Sequence, residues 1–191
     1  KAIPDTNKMA LTTIITFYEC NRELLADYIK HKKKTNKNFP KLSDYIRIRP
    51  NDKEVEEYKS ICFEFWDSMI SGLECIQKIA DDPECTVKEY RNENGGLIIF
   101  RPVALVPLIK AIIRVKNAMD LSFEDAIKKI PLNILELTHP VWKWIIWNPD
   151  KKTMIMGRKG LIEPIIVYYL NEELLTPEEK DKLLRELKSY N

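Results

Sequence analysis

The stretch Gly95-Gly96-Leu97-Ile98-Ile99-Phe100-Arg101-Pro102-Val103-Ala104-Leu105 decides how the rest of the chain is read. Two glycines predict a turn, four apolar residues a short buried strand over 97–100, and Arg-Pro the opening of an apolar helix. Proline is at home in a first helical turn, because its missing N–H would have no partner there anyway. Val103, Leu105, Val106, Leu108, Ile109, Ile112, Ile113 and Val115 then carry the helix to about Met119. Pro107 lies near enough to its start to kink it without ending it. Arg101 stands at the junction, and its simplest role is to tie the strand end to a nearby carbonyl or carboxylate.

Towards the N-terminus, Val55, Tyr58, Cys62, Phe65, Met69, Leu73 and Ile76 form one broad helical face. Asn51-Asp52 and Glu54 supply its cap and first turn, and it ends before Pro83. This predicts a central helix buried on most sides. Residues 81–94 are polar and read as a long loop. An earlier helix over about 8–30 follows from the spacing of Leu11, Ile14, Ile15, Tyr18, Leu25 and Ile29.

Towards the C-terminus, Ser122-Phe123-Glu124-Asp125 predicts a capped short helix ending at Pro131. The tryptophan-rich segment 141–157 predicts a small hairpin, with strands at 144–147 and 153–156 about the turn Asn148-Pro149-Asp150-Lys151-Lys152. Its rings are expected to pack on the helices; the alternative is that they stack bases or anchor a partner. A helix over Leu161 to Leu170 follows. The last, over 176–190, is capped by Thr176 with Pro177 and Glu179 behind it.

The fold class is therefore mainly α: a multi-helix domain with a short strand and a small β-hairpin, spanning 1–191 as one unit. The composition agrees, being 45% hydrophobic and 31% charged with only five glycines, in a chain long enough to bury a sizeable core. No apolar run approaches the ~20 residues that cross a bilayer, so no membrane partner is expected. The chain opens on Lys1 without the apolar core of a signal peptide, which suggests a piece excised from a longer cytoplasmic protein. Cys20, Cys62, Cys75 and Cys85 have no CxxC spacing, and His31 and His139 lie far apart, so reduced structural cysteines and no metal are expected.

Charge is the main functional signal. Residues 30–50 hold eight Lys or Arg against Asp44 alone, a local +7 in a chain of net +2. A concentrated positive field attracts phosphate where a diffuse one does not. Lys32, Lys33, Lys34, Lys37, Arg47 and Arg49 are the candidate nucleic-acid contacts, with Phe39 and Tyr45 as possible stacking groups. The plainer reading is a solvated lysine run at a helix C-terminus. Phosphate-loop, GxGxxG, HExxH and GxSxG motifs are all missing, and neither a cofactor nor enzyme activity is expected. A hidden hydrolase would need a pocket joining His139 or Cys85 to a carboxylate.

Two stretches together resemble the C-terminal half of DGQHR-domain, DndB-like proteins of bacterial DNA sulfur modification (phosphorothioation). These are the Gly95–Leu105 stretch, with Phe100, Arg101 and Pro102, and the segment Trp144 to Pro149, with Trp147, Asn148 and Pro149, continued by Met154 to Gly160. The DGQHR motif itself is not in the chain. The resemblance implies a regulatory or accessory role in a DNA-modification or defence setting, with DNA and sister modification proteins as partners. The competing expectation is a non-catalytic protein–protein interaction or structural module.

Overall fold

In a computed structural model the chain is described at residues 3, 7, 9–48, 50–82 and 87–190. Helix α1 (Ile14–Thr35) begins where the Thr13 hydroxyl accepts the Thr16 N–H at 3.1 Å. It ends on Lys32, Lys33 and Lys34, where cations complement the exposed carbonyls. The helix therefore starts later than the apolar spacing predicts, because Thr13 supplies the cap, and it runs on to Thr35, where the Asn36 N–H bonds the Lys32 carbonyl. A single turn, α2 (Leu42–Tyr45), follows.

Helix α3 (Asp52–Gly72) is capped by Asn51 as expected, and Glu54 in its first turn closes a capping box. The expected continuation through Ile76 is broken at Leu73, and the chain restarts as α4 (Glu74–Asp81). Gly72 explains the break. A Cβ there would sit 2.8 Å from Ile127 Cγ2, so a glycine is needed for close approach, and glycine is a poor continuation of a helix.

Helix α5 (Pro102–Met119) is the centre of the molecule, with Ala104, Leu105, Leu108, Ile109, Ala111, Ile112 and Val115 fully buried. It packs against α1 on one side, against α6 (Phe123–Lys128, capped by Ser122), and against α7 (Ile162–Asn171). Helix α3 bridges α1 and α6. Each buried Leu or Ile contributes about 1.5–3 kcal/mol, so this layer accounts for much of the fold's stability. Helix α8 (Pro177–Lys188), with Thr176 and Glu179 forming its capping box, closes over α7.

The expected strand at 97–100 is instead a 3-10 turn over Ile98–Phe100, and Leu97 alone makes an isolated antiparallel bridge to Glu136. All three consecutive side chains of the turn are fully buried. A run this short carries no period that separates strand from helix. The hairpin is present but shorter than expected: β1 (Trp147–Asn148) pairs antiparallel with β2 (Thr153–Met154). The chain before β1 folds back instead of extending. Trp144 sits at φ 62, and its N–H bonds the Trp147 carbonyl at 2.8 Å. Trp142 and Trp147 are buried, and the Trp142 indole N–H donates to the Ile134 carbonyl at 2.7 Å.

Candidate nucleic-acid interface

The basic segment is ordered by a small aromatic core at the C-terminal end of α1. Leu25, Tyr28 and Ile29 receive Phe39 and Tyr45 from the following loop and α2. Phe39 stacks on Tyr45 at 5.6 Å and meets Tyr28 edge-on at 6.2 Å. Both rings are thus buried, which corrects their expected role as stacking platforms for bases. Their apolar area is worth more in the core than in water, and the sequence alone does not reveal that Tyr28 lies beside them.

The candidate cations divide in two. Lys32 forms an ion pair with Glu57 of α3 and lies over the Tyr28 ring, while the Tyr28 hydroxyl donates to the same carboxylate at 3.0 Å. The Lys32 and Tyr28 bonds hold the Glu57 carboxyl below its ordinary range. Burial first, and then the bond to Glu57, push the Tyr28 phenol up. Lys32 is therefore a brace between α1 and α3 as well as a surface charge. Lys33 is half-buried. Lys34, Lys37 and Arg47 are exposed, as are Lys30 and Lys41, and none of these forms an ion pair among the described residues. Arg49 lies outside the described residues. Acids of α3 flank this end: Glu54 and Glu57 both act on Tyr45, whose hydroxyl is pushed up chiefly by burial.

Of the residues singled out in Gly95–Leu105 and Trp144–Pro149, Arg101 and Trp147 meet in space. Arg101 donates to the Asn92 carbonyl at 2.9 Å and also to the Gly95 carbonyl, and its guanidinium lies 5.9 Å from the Trp147 ring centre. Phe100 stacks on Tyr90 at 5.1 Å, and Pro102 occupies the first turn of α5. Asn148 accepts the N–H groups of Asp150 and Lys151, at 3.1 and 2.9 Å, which shapes the hairpin turn that holds Pro149. These contacts are structural.

A second positively charged feature is a cleft of about 1630 Å³ at the N-terminal ends of α1 and α5. Lys88, Arg91, Arg101, Lys110, Lys152 and Lys159 line it, against Glu19, Glu93 and Glu163. Arg91 spans part of it, donating to the Ala10 and Asn7 carbonyls at 3.0 and 2.8 Å. Sequence reasoning missed the cleft, because its cations come from separate segments and no local run of charge marks them.

The nucleophile candidates do not converge. His139 caps a short turn through Nδ1, 3.3 Å from the Val141 N–H, and does not line the cleft; Cys85 lies outside the described residues. Burial pushes the thiols of Cys20 and Cys75 up, to about 12 and about 11. Such thiols are poor nucleophiles at neutral pH. No group of His, Cys, Asp and Glu able to hold a metal ion occurs among the described residues, and no described helix is long and apolar enough to cross a membrane. Comparison with family models, curated proteins and solved structures finds no match.

Proposed function

We propose that this chain is a non-catalytic, DNA-contacting domain with a regulatory or accessory role in cytoplasmic bacterial DNA sulfur modification or defence. The observation that carries the reading is the ordered cluster of Lys34, Lys37, Lys41 and Arg47, exposed and without carboxylate partners among the described residues. Phosphate contacts of this kind position a protein on DNA without specifying sequence. The family context rests on the resemblance of the stretches around Arg101 and Trp147.

Anisotropy titration with duplex DNA at two salt concentrations tests the reading. Four phosphate contacts give a log–log salt slope of roughly −3.6. The reversal Lys34→Glu/Lys37→Glu/Arg47→Glu abolishes binding and flattens the slope. Binding that ignores salt, or no binding at low salt, overturns the proposal. A second reading, a protein-interaction module, is favoured by the exposed Ile14, Tyr18 and Phe63 on α1 and α3, which are large apolar side chains left in water.

A further inference from the structure

We propose that Ile46 and Ile48, on the turn after α2, form an apolar wedge that enters the minor groove of a DNA duplex and opens a base step. The inference rests on the DNA reading above and names the side chains of that surface that meet bases. Both isoleucines are exposed, at 45% and 58%, and Arg47 between them is exposed as well. Among the described residues they are the only exposed large apolar side chains between Lys30 and Ile48. The turn that presents them is fixed. Tyr45, next to Ile46, is buried against Phe39 and Tyr28. The N–H groups of Arg47 and Ile48 both donate to the Asp44 carbonyl at 3.0 Å, and that of Ile46 to the Leu42 carbonyl at 3.1 Å. One exposed isoleucine is ordinary on a protein surface. A held pair astride an arginine, within the segment that carries the chain's charge excess, is not.

Charge selects a polyanion. Asp44 is the lone acid between Lys30 and Ile48, while Lys34, Lys37, Lys41 and Arg47 have no carboxylate partner among the described residues. Of the α3 acids that act on Tyr45, Glu57 is held by Lys32 and Tyr28, and Glu54 by its capping box with Asn51. Burial of Tyr28, Phe39 and Tyr45 removes the stacking platforms that a single strand needs, which leaves a duplex. The size of the turn selects the groove. A major groove about 12 Å wide takes a helix or a two-stranded ribbon. Helix α2 is a single turn of 4 residues, too short for that role. A minor groove about 6 Å wide admits the narrower tip, where arginine follows the negative potential and isoleucine parts stacked bases. A lipid surface fits less well, because proteins lie on membranes through the apolar face of a whole amphipathic helix.

Energy transfer between dyes at the two ends of a short duplex, with anisotropy for affinity, tests the proposal on the full chain. The protein should bend the duplex. It should also bind a duplex with a central mismatch about tenfold more tightly than the matched form, since unstacking costs least where pairing is weak. Ile46→Ala/Ile48→Ala should remove both the bend and that preference while keeping the salt slope, because no cation is lost. Ile48→Ser alone, at the more exposed position, should weaken both. Circular dichroism checks that each variant keeps its fold. Salt-dependent binding without a bend, or a bend that survives the double substitution, overturns the wedge and leaves the DNA reading standing. Absence of salt-dependent duplex binding overturns both. Tighter binding to oligothymidylate than to the duplex also overturns the proposal. So does binding to phosphatidylserine vesicles that requires Ile46 and Ile48 and excludes the duplex.

Discussion

Arg101 and Trp147, 46 positions apart, lie against each other with the guanidinium carbon 5.9 Å from the ring centre. The same guanidinium holds the Asn92 and Gly95 carbonyls, so one side chain joins the loop before α5, the start of α5 and the hairpin. Hydrogen bonds to a charged group are worth about 1.5–3 kcal/mol each, and a lysine cannot reproduce the planar fork. Arg101→Lys is expected to lower stability by about 2 kcal/mol in urea denaturation. An unchanged midpoint would show that the contacts are incidental.

Gly96 is the stricter half of the same turn. Its φ is +71, and a Cβ there would meet the Tyr90 carbonyl oxygen at 2.0 Å. Gly96→Ala should cost more than about 2 kcal/mol, combining backbone strain with a clash against backbone. Gly157→Ala, where nothing lies within 4 Å, is the control and should stay within about 0.5 kcal/mol. Thermal melts of the two variants side by side decide the matter.

The Tyr45 hydroxyl is buried with no hydrogen-bond partner among the described residues, although its ring packs well. A buried unsatisfied hydroxyl costs about 1–3 kcal/mol, so Tyr45→Phe should be neutral or stabilising. Phe39→Ala has the opposite effect: it empties the small core and should speed hydrogen exchange over 36–48 more than elsewhere. Uniform exchange across the chain would argue against a separate aromatic core.

Arg114 grips Glu179 through two bonds of 3.1 and 2.6 Å and also reaches the Leu174 carbonyl, tying α5 to the start of α8. The Arg114 bond, and then the Thr176 N–H, hold the Glu179 carboxyl below its usual range. A carboxyl lowered by folding stabilises above its unfolded pKa and loses that contribution as the pH falls through its folded value. Glu179→Gln should therefore cost about 1 kcal/mol or less at pH 7, since the glutamate is still 41% exposed. The gap between variant and parent melting points should close as the pH drops below the carboxylate range.

Thiol labelling reads the core directly. Cys20 is fully buried, and Cys75 is half-buried with its thiol pushed up. Both should resist iodoacetamide at pH 8 in the folded chain and react once urea unfolds it. Fast native labelling of Cys20 would contradict the packing of α1.

Much of the fold was legible in the sequence because helix signals are local. Asn51, Ser122 and Thr176 cap where they are expected to, and Pro102 opens α5. Ile98–Phe100 misled because three buried apolar residues fit a strand and a tight turn equally well. The break at Leu73 depends on Ile127, which is remote in sequence. The candidate interface was legible only as a sum of charge. Which lysine is neutralised depends on Glu57, and which rings are hidden depends on Tyr28, both supplied by packing. The cleft left no signal in any single segment.

Helix α1 carries one positive region at each end, and their separation has an electrostatic consequence. The Debye length at physiological ionic strength is about 8 Å, so the span of about 27 Å from Thr16 to Lys34 is more than three screening lengths. Charge arriving at one end is then not felt at the other. The helix thus separates its two charged ends into electrostatically independent regions.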